Sequence, residues 1–452
     1  MTRTPRRDRY ADLRAASAAA LLVLVAVLVG RHIQDTRHTL FVRWPPLFAE
    51  WDPHVGPGTP AAVLVAAGVV AYGPTLAVRL PWRGLLGAAW GAALAWTWSL
   101  ALVDGWQRGV AGRLTTRNEY LTVVGRFHDI PAALRDFTHH IVSGSPAPWP
   151  AHIAGHPPAA TLTFVLLDRV GLRGGGWAGA WCVTVGSTAC VAVLVALRAL
   201  TGERLARRAA PFLVLAPAAV WVGASADGYF AAVAAWSVAL LALAVTGRST
   251  AWAAGAGAGL LYGLTCYLSY GLVLFAVIGA AALVIGRHRV RERPAVLVLL
   301  LAGAAVVPTV FTLAGFDWWE GYRLLVTRYY QGVGGIRPYG YWIWANLACT
   351  VLITGLATTA GLRRAGAALT PPRAAPSGDR GEIRLGLLVA AAVLSVLAAD
   401  LSGMSKAETE RIWLPFAMWL LPACALLPRP RTWLTAQALL ALLLNHLLLT
   451  GW

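Results

Sequence analysis

The stretch Pro157-Pro158-Ala159-Ala160-Thr161-Leu162-Thr163-Phe164-Val165-Leu166-Leu167-Asp168-Arg169-Val170-Gly171-Leu172 decides how the rest of the chain is read. It is apolar, but it is short, opens on two prolines and carries Asp168 and Arg169 near its end. A helix needs about 20 apolar residues to cross a hydrocarbon core about 30 Å thick. Segment 157–172 is therefore expected to lie in the membrane interface rather than to cross.

On either side, apolar blocks are separated by short polar breaks, the pattern of a chain that crosses a membrane many times. They place about thirteen spans at 13–30, 60–79, 84–103, 177–199, 209–224, 228–246, 250–267, 269–286, 295–314, 340–361, 385–401, 412–427 and 433–450. The expected fold is all-α and polytopic. It divides into a three-span segment at 1–103, an extracytoplasmic loop with interfacial helices at 104–176, and a ten-span domain at 177–452. Block Ala15 to Gly30 follows Arg3, Arg6, Arg7 and Arg9 as in a signal peptide, but no small-residue cleavage motif follows, so it reads as the first span.

Loop charge tests the choice made for 157–172. With the N-terminus cytoplasmic, inner loops hold 23 basic and 6 acidic residues, against 15 and 14 outside. The inner clusters include Arg198–Arg208, Arg248, Arg287–Arg293, Arg363–Arg384, and Arg429 with Arg431. Positive charge gathers on the cytoplasmic side of membrane proteins. If 157–172 crossed, the Arg204-Leu205-Ala206-Arg207-Arg208 cluster would move outside and every later loop would invert.

Composition agrees. The chain of 452 residues is 58% hydrophobic and 13% charged, about half the charge of an ordinary soluble domain. Its net charge of +18 lies in short clusters between spans, which excludes a nucleic-acid-binding surface. Among the basic residues there are 37 Arg and one Lys, Lys406, which reads as the codon bias of a high-GC bacterium. Cys182, Cys190, Cys266, Cys349 and Cys424 lie in or beside apolar blocks without metal-ligand spacing and read as packing residues.

Span interiors carry almost no ionisable residue; Asp400 and His446 lie at outer span ends. Ion-coupled carriers keep such residues at mid-membrane depth. Their absence favours a site at the outer surface of the membrane.

Three outer-face signals stand out. In loop 104–176, Asn118-Glu119-Tyr120 precedes a stretch in which Ile130, Leu134, Phe137 and Ile141 share one helical face, with Arg135, Asp136, His139 and His140 opposite. That segment is expected to lie apolar side down in the interface, and it leads to His152-Ile153-Ala154-Gly155-His156-Pro157-Pro158. Next, Ser225-Ala226-Asp227 places a carboxylate in a very short outer hairpin, where it serves either a helix cap or a site. Lastly, Lys406, Glu408, Glu410 and Arg411 stand at one-turn spacing before a span, pairing Lys406 with Glu410 and Glu408 with Arg411. Cations at an outer span end suit an anion such as a lipid phosphate. The loop around Trp318, Trp319, Tyr322 and Arg323 suits sugar stacking and a phosphate clamp, or an aromatic belt.

A carboxylate beside histidines and arginines at the water–lipid boundary has the parts that glycosyl transfer from a lipid phosphate needs: a base for the acceptor hydroxyl and cations for the departing phosphate. In order and topology the chain resembles the GT-C superfamily of polyprenyl-phosphate-sugar-dependent glycosyltransferases, which includes aminoarabinose and protein O-mannosyl transferases. The resemblance runs over about 118–320 and rests on Asn118-Glu119-Tyr120, Gly155-His156-Pro157-Pro158, Gly202-Glu203-Arg204 with Arg207-Arg208, and Ser225-Ala226-Asp227. Glu410-Arg411-Ile412-Trp413 is a late donor-binding element. The acidic pair of that family is Asn118-Glu119 here, and two additional spans precede it; Glu50-Trp51-Asp52 in the first outer loop is the alternative location.

The resemblance implies a membrane-embedded glycosyltransferase with a multi-pass cell-membrane location and an extracytoplasmic active face, acting on a polyprenyl-phosphate-linked sugar of the cell envelope. Glu119 and Asp227 would be catalytic, and Lys406, Arg411 and Arg323 would bind the donor phosphate. Asn118, His152, His156 and Glu408 would shape the acceptor site, and a divalent cation (Mg or Mn) is the candidate cofactor, with Asp227 as its support. Two other readings stand beside it: a non-catalytic protein that binds or translocates a polyprenyl lipid, and an envelope-polysaccharide polymerase. Convergence of Glu119, Asp227 and Arg411 within about 10 Å of one cavity separates catalysis from the non-catalytic reading.

Overall fold

The structure, a computed structural model, describes residues 6–223, 225–247, 251–370 and 380–451. Arg3, Arg248 and the centre of the 362–384 linker lie outside the described residues.

Helix α1 (Arg6–Arg37) is followed by strand β1 (Ala49–Trp51), α2 (Thr59–Arg79) and α3 (Trp82–Ala101). The segment that follows, expected to lie on the outer face, is built of short pieces: 3-10 turns at Arg113–Thr115 and Tyr120–Phe127, then α4 (Ile130–Arg135), α5 (Ala151–Ala154) and α6 (Pro158–Arg169). Helices α7 (Gly175–Gly186) and α8 (Ala189–Leu200) form one long apolar span, and α9 (Glu203–Val214) and α10 (Ala219–Val222) come next. The chain continues through α11 (Ala226–Thr246), α12 (Ala251–Leu268), α13 (Phe275–Ile285), α14 (Arg287–Glu292), α15 (Ala295–Leu313) and α16 (Trp318–Gln331). It closes with α17 (Tyr339–Thr354), α18 (Leu356–Leu369), α19 (Arg380–Leu401), α20 (Thr409–Ile412), α21 (Leu414–Leu420), α22 (Pro430–Leu447) and β2 (Leu448–Thr450).

The protein is thus a polytopic α-helical membrane protein. Among the described residues, seven helices are long and apolar enough to cross a bilayer, or eight if α17 and α18 count as one. This is fewer than the thirteen spans expected, and the reasons are local. Segment 209–224 breaks at Ala216-Pro217, where proline cannot continue the helical ladder, and leaves only α10 beyond it. Segment 269–286 begins as a 3-10 turn, and 412–427 is split between α21 and a 3-10 turn at Leu421–Leu426. Segment 340–361 bends by 105° at Gly355, whose φ of +85° is the left-handed conformation that glycine adopts without strain. Helix α6 has 12 residues, about 18 Å at 1.5 Å per residue, and is too short to cross, as expected.

Small residues let membrane helices approach closely. The α12–α15 contact shows this: a Cβ on Gly259 would lie 2.0 Å from the carbonyl O of Leu300. The expected amphipathic stretch 130–141 holds its face but not its setting. Leu134, Phe137 and Ile141 are buried in the protein itself, Phe137 edge-on to Phe316 at 5.6 Å, rather than resting on lipid.

Polar groups gather at the two ends of the bundle. In α19, Glu382 near the start takes Arg204 at 3.3 Å, while Asp400 accepts from Asn346 Nδ2 at 2.9 Å. The two carboxylates are about 27 Å apart along the helix. At the first end, buried Asp12 binds Arg363 at 2.8 Å and Arg364 at 2.7 Å. There, too, Arg207 donates to the carbonyls of Ala77 and Leu80, closing the end of α2. Gly144, in the outer segment, and Gly366, on α18, each face open space. Cysteines introduced at these two positions should react with a membrane-impermeant maleimide from opposite faces of sealed vesicles; labelling of both from one face would refute the two-ended arrangement.

Candidate functional site

At the other end of the bundle, three segments distant in sequence bring ionisable side chains together. Glu119 precedes the 3-10 turn Tyr120–Phe127, with its N–H bonded to the carbonyl of Thr116 at 2.9 Å. Short helix α5 is tied to this segment by the His152 N–H, which donates to the carbonyl of Asn118 at 3.2 Å. The exposed Asn118 contributes only that backbone group. His152 Nδ1 then lies 2.7 Å from Glu119 Oε1, and both side chains are buried.

The second segment is the start of α11. Ser225 caps it by accepting from the Asp227 N–H at 3.0 Å, and its hydroxyl donates to Asp227 Oδ2 at 2.9 Å. Cap and site therefore coincide: Ser225 caps the helix, which leaves the Asp227 carboxylate for Arg411 Nη1 at 2.7 Å. Both partners are almost fully buried.

The third segment is the loop 402–411. Asn346 Nδ2 donates to the carbonyl of Ser405 at 2.6 Å, and Arg337 donates to the carbonyls of Leu40 and Lys406 at 3.0 and 2.7 Å. Ala407 and Glu408 both adopt left-handed backbone, with φ of +73° and +63°. For non-glycine residues that strain persists only where the surroundings enforce it. It interrupts the expected helical start, and only part of the expected charge pattern forms. Glu408 reaches Arg411 at 3.5 Å, but Lys406 Nζ donates to the carbonyl of Gly334 at 2.9 Å, and Glu410 accepts instead from the Phe48 N–H at 2.9 Å.

Arg411 also faces His152, Nη2 to Nε2 at 3.4 Å. Burial lowers the Arg411 pKa, but Asp227, Glu408 and Glu119 outweigh it and hold the guanidinium above its ordinary value. Glu119, Tyr120, Ser225, Arg113, Arg411 and Gly451 line one small cavity. A second cavity, lined by residues such as Ala93, Cys190 and Met418, is apolar.

Glu119, Arg411 and the pair-forming Asp227 are therefore brought together with His152 and Glu408. His156 lies behind them, its ring 5.9 Å from that of Tyr120, and its Nδ1 donates to the carbonyl of His152 at 2.7 Å. Arg323 is exposed on α16 and, like Lys406, does not line the cavity. Glu50 and Asp52 pair on the exposed surface with Arg43 at 2.7 Å and Arg108 at 3.0 Å and do not line it either. Trp318 stacks on Tyr322, and Asp317 caps α16.

Four contributors escaped sequence reading. Asn346 and Arg337 look like ordinary residues of a span and its flank; Arg113 and Gly451 reach the cavity only through tertiary packing. No set of three or more His, Cys, Asp or Glu side chains among the described residues is arranged to hold a metal ion. Glu119 already meets an imidazole and Asp227 a guanidinium, so this donor set does not fit a divalent cation.

No protein-family description matches the chain, and no curated protein matches it. Its fold resembles solved chains of the oligosaccharyltransferase of Archaeoglobus fulgidus. In the form tethered to an acceptor peptide with the NVT sequon, the TM-score is 0.42 at 12% identity, over 75% of this chain and 49% of that one. For AglB in complex with an inhibitory peptide and a dolichol-phosphate, the TM-score is 0.43 at 12% identity, over 76% and 50%. For the apo form the values are 0.41 and 12%, over 75% and 50%. The chain thus spans about half the length of the solved chains it resembles. At these scores the likeness assigns no residue a role.

Removing one member of a buried ion pair strands the other charge and costs about 3–5 kcal/mol. Asp227→Ala should therefore destabilise the detergent-solubilised protein by that order, and Asp227→Asn by less; equal thermal midpoints for wild type and Asp227→Ala would show the pair to be unimportant. Burial also pushes the His156 imidazole from 6.5 down to about 4. The unfolded chain then binds a proton that the folded one refuses, so stability is full above about pH 6.5 and falls as pH drops towards 4. In His156→Gln that part of the pH slope should vanish; a slope identical to wild type would show that the ring is not buried neutral.

Proposed function

We propose that the protein is a membrane glycosyltransferase that transfers a sugar from a polyprenyl-phosphate donor to an acceptor at the extracytoplasmic face. The observation that carries this reading is the meeting of Glu119 and Arg411 in one cavity, with His152 between them at 2.7 and 3.4 Å. A carboxylate and a fixed cation side by side are the two groups that the reaction requires.

In this reading Glu119 takes the proton of the acceptor as the acceptor oxygen bonds to the anomeric carbon. The bond from that carbon to the phosphate oxygen breaks, and the polyprenyl phosphate leaves with the electron pair. Arg411 meets the charge that develops on the phosphate. Asp227 fixes the guanidinium in place, so it is a positioning residue. Lys406, by holding the carbonyl of Gly334, secures the loop that carries Arg411. The loop-charge asymmetry supports an extracytoplasmic position for this end of the bundle.

Loss of the gene should change the envelope glycans and cause a lipid-linked sugar to accumulate. Complementation with Glu119→Gln, which keeps size and polarity, should restore protein level but not the glycan. The loss of transfer should reach the 10²–10⁴-fold that a general base supplies. Full restoration by Glu119→Gln would remove the base and favour a non-catalytic lipid-binding role.

A further inference from the structure

The proposed chemistry leaves two polar groups of the cavity without a task, and both are donors. Tyr120 is fully buried, and its hydroxyl has no hydrogen-bond partner. Its ring is fixed against Phe164 at 5.1 Å and His156 at 5.9 Å, so the hydroxyl cannot swing to water. Burial raises the phenol pKa well above its ordinary value, and Asp227 and Glu119 raise it further. The phenol therefore keeps its proton, and its hydroxyl can donate a hydrogen bond.

Arg113 is the second. Its side chain is 13% exposed and anchored on two sides, Nη1 to the carbonyl of Thr450 at 2.9 Å and Nη2 to Asp104 at 3.4 Å. Its Nε is buried and has no partner. A buried donor left without an acceptor costs about 1–3 kcal/mol, and two of them line the same small cavity as Arg411. Donors without an acceptor, beside two guanidinium groups, fit a ligand rich in acceptor oxygens and negative charge. A neutral sugar alone would bring hydroxyl protons that the guanidinium groups cannot accept, leaving only the Tyr120 oxygen to take them, and would bring no charge to match two cations.

We propose that Arg113 and Tyr120 complete, opposite Arg411, a subsite for one phosphoryl group. The guanidinium groups take its charge, and the Tyr120 hydroxyl donates to one of its oxygens. Glu119 stays on the side where an acceptor approaches. This rests on the glycosyltransferase reading for the identity of the phosphate as part of a lipid-linked donor, but the subsite itself is a binding property that can be measured without any transfer.

The test uses the full chain in lipid nanodiscs with a polyprenyl monophosphate, the matching polyprenol and inorganic phosphate as probes. Wild type should bind the polyprenyl phosphate better than the polyprenol. Tyr120→Phe, which removes one oxygen atom, should weaken the phosphate-bearing probe about tenfold and leave the polyprenol unchanged. Arg113→Gln should weaken it by about tenfold or more. Because Arg113 also holds Thr450, its variant is judged only beside an unchanged thermal midpoint, and Tyr120→Phe stands as the independent case. In a transfer assay the same variants should raise KM for the donor more than they lower kcat.

Equal affinity for inorganic phosphate would identify a site for the free anion rather than for the lipid. Wild-type affinity for polyprenyl phosphate in both variants would overturn the subsite. Phosphate binding lost in the variants while wild type transfers no sugar would support the subsite and sink only the enzymatic reading.

Discussion

The buried pair of Arg411 and Asp227 is the constraint around which the candidate site is arranged. It joins residues 184 positions apart, and it is a demanding contact. Taking two charges out of water costs several kcal/mol per ion, and their attraction offsets this only where the geometry is good and the remaining donors and acceptors are met. The surrounding structure answers that demand. Ser225 takes part of the Asp227 carboxylate, Glu408 and His152 face the rest of the Arg411 fork, and Asn346, Arg337 and Lys406 hold the loop that delivers the arginine. The two left-handed residues before it, Ala407 and Glu408, are the strain accepted in bringing that loop around.

A bilayer forces polar groups to the ends of a helical bundle, but the two ends use them differently. At the basic end Arg207, Arg208 and Arg364 are matched with carbonyls or with Asp12, and these contacts close helix termini and pin α1 to α18. At the other end the cavity holds a phenol and a guanidinium Nε whose donors remain unmet. Saturated arginines are structural. Unmet donors beside a buried ion pair are what a binding site requires before its ligand arrives.

This contrast also explains what was legible in the sequence. The positions of the apolar blocks followed from hydropathy, because the bilayer imposes one pattern on every span. Continuity within a block did not follow, because Gly355, Pro217 and the 3-10 starts alter direction without altering hydropathy. Glu119 stood out as a carboxylate ahead of an amphipathic stretch in the long polar loop, and Asp227 and Arg411 as charges at the margins of apolar segments, where an ionisable residue needs a reason. Lys406 stood out for the same reason and proved to hold a backbone carbonyl. Arg113 was one arginine among 37 in a polar loop, and nothing local distinguished it. Its place is set by packing of β2 against β1 and by the carbonyl of Thr450, which are contacts across most of the chain.

The role of His152 follows from the same electrostatics. Glu119 and Arg411 line one small cavity, and a carboxylate and a guanidinium so placed would, without a group between them, be free to form a direct salt bridge. Such a bridge would occupy the base and the anion-binding cation together. Arg411 Nη2 can only donate, so His152 Nε2 is the acceptor there, and Nδ1 is the ring nitrogen that lies 2.7 Å from Glu119 Oε1. The imidazole thereby stands between its two neighbours and keeps them a ring's width apart. The carboxylate stays oriented towards the ring, and the guanidinium is anchored by Asp227. A lysine in place of Arg411 would present a single point charge that Asp227 alone would absorb, whereas the planar fork serves carboxylate, imidazole and anion at once.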